Sequence, residues 1–340
     1  MITAEIKNIV DKAVGFCTED TGDCSGATGP VLSRDEIIAL LSVDEKSEDA
    51  DYIRSKAHEA ALKVSGGKAR LWGAMGIDFV PCSCNCDFCS FGEKWGIVKE
   101  SKIYSPDEIK AQMKEYVDAG VYYIVMRTTE FYSIDDLCEK VQDLRASIEG
   151  NYEIILNIGE FEYEDAFRMY EACVSGIYHA CRIHEGIDTG ISPERRKQTM
   201  KAVQDSPLKL ISLVEPVGIE HTAEELADNF LNIIDHGAYM TGVMSRTPVP
   251  GTPLGDKYEM ISAARNGLIA AVTRLACGPW VKHICAHPAS LTAINSGANI
   301  AVVETGAIPR DDKLIEDEWL HFTEDKAMKL FRDAGFAIGE

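Results

Sequence analysis

Basic residues are scarce in this sequence: 34 lysines and arginines stand against 55 aspartates and glutamates, a net charge of −21 over 340 residues. So large an acidic surplus excludes nucleic acid and anionic membrane surfaces as main partners, because both repel a surface of that sign. Long apolar runs are missing too, and none reaches the roughly 20 residues that a bilayer-spanning helix needs. The opening Met1-Ile2-Thr3-Ala4-Glu5 has no basic stretch leading into an apolar one, so no signal peptide is expected. There is no low-complexity tract, no short repeat and no linker rich in Pro, Gly or Ser, which argues against a string of small modules. What is present is enough apolar material for a sizeable core, 46% of residues, and eleven cysteines. In a chain without an export signal, cysteines read as reduced thiols and metal ligands. The expected home is a reducing, oxygen-poor cytoplasm.

Four of those cysteines lie in eight residues, Cys82-Ser83-Cys84-Asn85-Cys86-Asp87-Phe88-Cys89. Setting Cys84 aside leaves C-x3-C-x-aromatic-C, with Cys82, Cys86 and Cys89 as ligands. Three thiolates in one tight loop cannot all pair as disulfides, and they suit a soft iron–sulfur site. On a 4Fe–4S cluster, three cysteines leave one iron open. A structural zinc site of the paired kind would need a second C-x2-C further along, and the sequence has none.

From Leu71 onward the pattern alternates strand and helix. Strand-like runs fall near Leu71–Val80, Tyr122–Met126, Glu153–Asn157, Gly176–Ile183, Leu208–Val214, Tyr239–Met244, Lys282–Ala286 and Ala298–Val303. Between them stand helix starts with capping residues: Ser105-Pro106 with Glu108, Ser133, Ser192-Pro193, and Thr222 with Glu225. Eight strands with intervening helices predict an α/β fold, a complete TIM-type (β/α)8 parallel barrel. Residues 1–70 form an N-terminal extension. In it, Met1 to Gly29 reads as an irregular flap holding two incidental thiols, Cys17 and Cys24. Ser33 with Glu36 starts one helix, and a second runs from about Asp49 to Val64. Residues 71–340 carry the barrel and a C-terminal helix from Thr323 to Gly335.

Cys82-x3-Cys86-x-Phe88-Cys89 after a strand-like run resembles the signature of the radical S-adenosylmethionine enzymes. That resemblance implies a 4Fe–4S cluster whose open iron chelates S-adenosylmethionine, and one-electron cleavage of the sulfonium to a 5′-deoxyadenosyl radical. It also implies a small-molecule substrate and a reductant such as ferredoxin or flavodoxin. Arg127-Thr128-Thr129-Glu130 after the second strand is similar to the family's Gly-Gly-Glu grip on the amino group, with threonines for both glycines and Glu130 as the matching carboxylate. Asn157 ends the third strand. His184-Glu185, Asp188-Thr189 and Glu194-Arg195 resemble a segment of methylornithine synthase and of the E-type maturase of iron-only hydrogenase. There a glutamate lies by the cosubstrate and an arginine pairs with its carboxylate; Glu185 and Arg195 fit that register, with Arg196 as the fallback. For His184, a core hydrogen bonder and a catalytic group stand level. Gly218 matches the turn that supports adenine, and Gly251-Thr252-Pro253-Leu254 and Gly297-Ala298-Asn299 have counterparts in biotin synthase and methylornithine synthase. The resemblance covers about Ser33 to Asp311. A methylase-like protein of iron-guanylylpyridinol cofactor assembly belongs to the same subgroup but carries a longer first cysteine spacing.

The second cluster of biotin synthase is not expected, because the matching positions here are apolar: Val125, Met126, Ile155, Leu156 and Leu213. His283-Ile284-Cys285-Ala286-His287 puts three polar side chains on one strand face. They read either as substrate-side groups, joined by Cys181 and Arg246, or as a packed barrel core; for Arg246 the bland reading is a salt bridge. Two functions remain open: a radical enzyme acting on a small metabolite or metal-cofactor precursor, and a cluster-binding scaffold without turnover.

Overall fold

The computed structural model describes residues 2–17, 29–305 and 322–339. The chain runs through α1 (Ala4–Phe16), α2 (Arg34–Leu41), α3 (Glu48–Val64), β1 (Lys68–Gly76), β2 (Asp78–Phe79), β3 (Lys102–Ile103), α4 (Pro106–Asp118), β4 (Tyr123–Arg127), α5 (Ile134–Ser147), β5 (Glu153–Asn157), α6 (Tyr163–Glu171) and β6 (Gly176–Tyr178). It continues through α7 (Pro193–Gln204), β7 (Lys209–Ile211), β8 (Val214–Val217), α8 (Ala223–Asp235), β9 (Met240–Ser245), α9 (Pro253–Lys257), α10 (Ala263–Cys277), β10 (His283–His287), α11 (Leu291–Ile294), β11 (Ile300–Thr305), α12 (Glu324–Asp333) and β12 (Ala337–Ile338).

Parallel pairing runs β10-β11-β1-β4-β5-β6-β7-β9 and returns from β9 to β10, which closes an eight-stranded barrel of TIM type. The expected capping boxes are in place at Ser33/Glu36, Ser105/Glu108 and Thr222/Glu225, each satisfying backbone N–H groups that a helix start leaves open. Strand alternation sorts the side chains. Trp72, Val125, Ile155, Tyr178, Leu213, Cys285 and Val302 point into the barrel, while Leu71, Ile124, Leu156, Ile177 and Ala301 pack outward under the helices.

Three expectations change. The segment read as an irregular N-terminal flap contains α1, whose Ile6, Ile9, Val10 and Ala13 are buried; Cys17 ends it, and Cys24 lies outside the described residues. Together α1, α2 and α3 cover α10, almost every residue of which is buried, and an all-round apolar helix needs such a cover. The run Gly176–Ile183 is strand only to Tyr178, and Leu208–Val214 splits into β7 and β8 with a register shift against β9. That break turns Glu215 into the barrel mouth.

Candidate functional site

At the C-terminal ends of the strands a cavity of about 220 Å³ opens, lined by all four cysteines of the loop after β1 together with Phe88, Glu130 and Asn157. The cysteine loop is tightly organised. Cys82 N–H donates to the Phe91 carbonyl at 2.7 Å, and Glu93 N–H returns to the Cys82 carbonyl at 3.1 Å. Asn85 has φ of 46°, a turn that asparagine tolerates, and its side chain accepts from Lys94 N–H at 2.9 Å. Three bonds tie the loop to distant segments: Asp87 N–H to the Asp188 carbonyl (2.8 Å), Gly190 N–H to the Cys84 carbonyl (2.9 Å) and Leu254 N–H to the Asp87 carbonyl (2.9 Å). A Cβ on Gly190 would stand 2.7 Å from the Cys84 oxygen, so only glycine lets the two loops meet. The thiols are all free. A hydrogen bond from Cys84 holds the Cys82 thiol down at about 7, and burial pushes Cys86 up to about 12.

The next wall is the turn after β4. Buried Asp78, just past β1, accepts from Thr129 N–H at 2.7 Å and from its hydroxyl at 2.5 Å. Thr128 N–H donates to the Asn157 carbonyl at 3.0 Å. Glu130 is thereby aimed into the cavity, and Gly159 makes room for its backbone, since a Cβ there would sit 1.9 Å from the Glu130 oxygen.

A buried ion network stands behind it. The Arg196 guanidinium lies 2.8 Å from Glu160, 3.4 Å from Glu130 and 3.6 Å from Glu185. Arg182 reaches Glu215 at 3.4 Å and Glu185 at 3.7 Å. Thr189 donates to Glu185 at 2.6 Å, Tyr178 to Glu215, and Thr199 to Glu160. Burial alone would raise the Glu160 carboxyl, but His179, Arg196 and Thr199 hold it down at about 2. Glu215 is pushed up by its burial. Arg182 and Arg196 thus share five carboxylate contacts with only four acids, and their acceptors have lone pairs to spare.

The expected site residues divide. Cys82, Cys86, Cys89, Phe88, Glu130, Asn157, Arg246 and His287 line the cavity, whereas Glu185 and Gly218 sit directly behind its wall. Arg246 is both things that the sequence allowed. It lines the cavity, and it forms a two-bond ion pair with Glu220 at 2.5 and 2.8 Å. Gly218 has to be glycine for this pair to lie over it, because a Cβ would meet both side chains at 2.3 Å.

Five placements are corrected. Arg195 points away and pairs with exposed Glu162, while Arg196, on the buried stripe with Thr199, Met200 and Val203, faces the cavity; a helix turns 100° per residue, so only one of two neighbours can face in. His184 lies outside the wall, bound to Glu225 at 2.7 Å and near Asp188 at 3.3 Å. His283 and Cys285 do face inward, but His283 is at the opposite end of the barrel against Tyr239 and Cys285 is in the apolar middle layer. Cys181 packs outward under α7.

His184, Asp188 and His221 come within 4.8 Å of one another. The His221 Nδ1 accepts from Gly218 N–H at 2.9 Å, which leaves the ring proton on Nε2. That nitrogen carries the proton and the other is taken by Gly218, so His221 has no lone pair to offer a metal ion. The residues that sequence reasoning missed are Asp78, Arg127, His179, Arg182 and Glu215. Alternation along β4 was a usable signal for Arg127, which shares a face with Tyr123 and Val125; Asp78 and Glu215 lie in the short strands β2 and β8, and His179 and Arg182 in the loop after β6, too short or irregular for a period.

No family model and no curated protein matches the sequence. Solved structures do. Methylornithine synthase (PylB) superimposes with TM-score 0.77 at 18% identity, covering 98% of this chain and 97% of that one. The FeFe-hydrogenase maturase HydG from Carboxydothermus hydrogenoformans gives 0.70 at 16% identity, over 98% of this chain and 78% of its own. A further HydG structure gives 0.72 at 13% identity, over 88% and 67%. At these identities the likeness is one of fold. Among the described residues, no helix is long and apolar enough to cross a membrane.

Proposed function

We propose that this chain is a radical S-adenosylmethionine enzyme acting on a small molecule in a biosynthetic or maturation pathway. The observation that carries the reading is the meeting of three groups of residues in one cavity: the Cys82-x3-Cys86-x2-Cys89 loop, Glu130, and the buried Arg196 network. The donor set fits the implied groups. Cys82, Cys86 and Cys89 are free thiols opening into the cavity, soft ligands suited to iron and sulfide. Glu130 offers a carboxylate to an ammonium, and Arg196 a planar fork to a carboxylate. Bound there, a 4Fe–4S cluster and S-adenosylmethionine supply one-electron sulfonium cleavage and an adenosyl radical.

The chain's own residues do the rest. The bonds from Asp188, Gly190 and Leu254 hold the cysteine loop against the wall, which fixes the ligands relative to Arg196. Asp78 sets the direction of Glu130. Gly218 lets the Arg246–Glu220 pair lie over its backbone, which sets the Arg246 guanidinium at the cavity wall. The apolar ring of Val125, Leu213 and Val302 keeps water from the inner cavity, where stray donors would quench a radical. A low-potential protein reductant, ferredoxin or flavodoxin, provides the electron. After anaerobic reconstitution and chemical reduction, the protein should release 5′-deoxyadenosine from S-adenosylmethionine. Full iron content with no release would leave a cluster-binding scaffold instead.

A further inference from the structure

Four guanidinium groups line the cavity: Arg127, Arg182, Arg196 and Arg246. Three are committed, Arg182 to Glu185 and Glu215, Arg196 to Glu130, Glu160 and Glu185, and Arg246 to Glu220. Arg127 has no carboxylate partner among the described residues. Its one charge contact is the Phe91 ring, 6.0 Å from the guanidinium carbon. An arginine that lines a cavity in a chain of net charge −21 had many acids available, and half-buried guanidinium groups are usually paired.

Its direction is fixed by the strand. Tyr123 and Val125 of β4 belong to the inner layer, so Arg127, two residues further on, also faces inward. The register places it level with Gly76 of β1 and Asn157 of β5. Below it the wall is apolar until Trp72, whose register partner is Tyr123. Trp72 is 4% exposed, lines the same cavity, and its indole N–H has no hydrogen-bond partner. A buried donor left unmade costs about 1–3 kcal/mol unless a ligand takes it up. Arg182 Nη1 and Arg196 Nε also make no hydrogen bond, but each lies within 3.7 Å of Glu185. Among the described residues, Arg127 and the Trp72 N–H have no such acceptor; they face one space, one charged at the mouth and one neutral at the floor, four residues apart along the barrel wall. That is roughly 13 Å of strand, shortened by the reach of both side chains.

We propose that the substrate is a monoanionic organic carboxylate with an apolar body, its carboxylate held by Arg127 and a hydrogen-bond acceptor at its far end held by the Trp72 indole N–H. This rests on the reading above, of which it names the substrate class. One fork with two parallel N–H groups matches a carboxylate. A phosphate dianion would need more cation than the cavity has left, because the other three guanidinium groups face five carboxylates.

The test is made on reconstituted holoenzyme with S-adenosylmethionine bound, by titration calorimetry. The probes are straight-chain monocarboxylates that carry a ketone or hydroxyl oxygen at the far end, each paired with its neutral amide. Wild type should prefer the best-binding acid to its amide at least tenfold. Arg127→Gln should remove that preference while leaving S-adenosylmethionine affinity and iron content unchanged, and Trp72→Phe should weaken acid and amide alike. The proposal is overturned if wild type shows no preference for the acids, if Arg127→Gln keeps it, or if Arg127→Gln lowers S-adenosylmethionine affinity instead. Parallel assay of 5′-deoxyadenosine in wild type separates the two levels: no release there sinks the enzyme reading, whatever the acid preference.

Discussion

The two ends of the barrel hold similar residues and use them differently. At the N-terminal end, the inward-facing polar groups bond mostly to one another. Lys209 bonds Glu153 at 2.6 Å, Tyr122 donates to the same carboxylate at 3.0 Å, Arg70 stacks 3.7 Å over the Tyr122 ring, and Tyr239 meets His283 at 3.3 Å. At the C-terminal end, Arg127 and the Trp72 N–H are left over, the cysteines are unpaired, and Arg196 is surrounded by more acceptors than it can satisfy. Residue type does not tell them apart, since both ends have arginine, glutamate, histidine and tyrosine. What differs is that the polar groups of the N-terminal end pack against one another and leave only Glu153 Oε2 and His283 Nδ1 of that group unbonded, whereas those of the C-terminal end surround a cavity.

The largest effect should come from the open end. Cys86→Ala should abolish iron uptake on anaerobic reconstitution, whereas Cys84→Ala and Cys285→Ser should retain about four irons per chain, as one cluster requires. Equal losses in Cys84→Ala and Cys86→Ala would break the ligand assignment, and two extra irons that vanish with Cys285 would place a second cluster in the barrel. Next, Arg196→Leu should weaken S-adenosylmethionine binding by about tenfold to a hundredfold, the cost of roughly 1.5–3 kcal/mol for a lost charge-assisted bond. Arg195→Leu, which breaks only a surface pair, should shift affinity and stability by less than about 1 kcal/mol.

At the closed end, burial holds His283 down at about 3, with Arg70 and Lys209 adding to the effect. The unfolded chain takes up the proton near pH 6.5, so the folded state loses stability as pH falls below 6.5 towards 3. The slope is about 1.4 kcal/mol per pH unit. Urea melts at pH 7 and pH 5.5 should show the loss in wild type and a smaller one in His283→Phe, which keeps a ring between Tyr123 and Tyr239; burial also holds His179 and His221 down, and they supply the remaining slope. At the same end, Lys209→Met should cost about 1 kcal/mol in the same melts, discounted because the pair is partly exposed. Its S-adenosylmethionine affinity should be that of wild type; a drop would mean that the two ends are coupled.

Much of this was legible from periodicity. The barrel followed from eight apolar runs between capped helices, and the cysteine loop from its spacing. Where a residue's role depends on which way a helix or strand turns, reading one residue at a time was too coarse: Arg195 was preferred to Arg196, although Met200 and Val203 mark the buried stripe that Arg196 shares. His283, Cys285 and His287 were rightly placed on one face, but a face runs the whole height of the barrel, and only three-dimensional register separates floor, middle and mouth. Asp78, Arg182 and Glu215 sit where strands end or break, and no period reaches them. The flap became α1 because its buried face is completed by α3 and by α10, the latter some 250 residues away.

The backbone bonds of the cysteine loop have a consequence for local opening. Asp87, Gly190 and Leu254 belong to segments that follow β1, β6 and β9, yet their amide hydrogens close one small cage around the loop. Opening any of the three segments exposes the other two to solvent, so these amides should exchange with deuterium as a single cooperative unit. Ligand loss at Cys86 would then be recorded at Gly190 and Leu254, more than a hundred residues along the chain, before the barrel itself begins to yield.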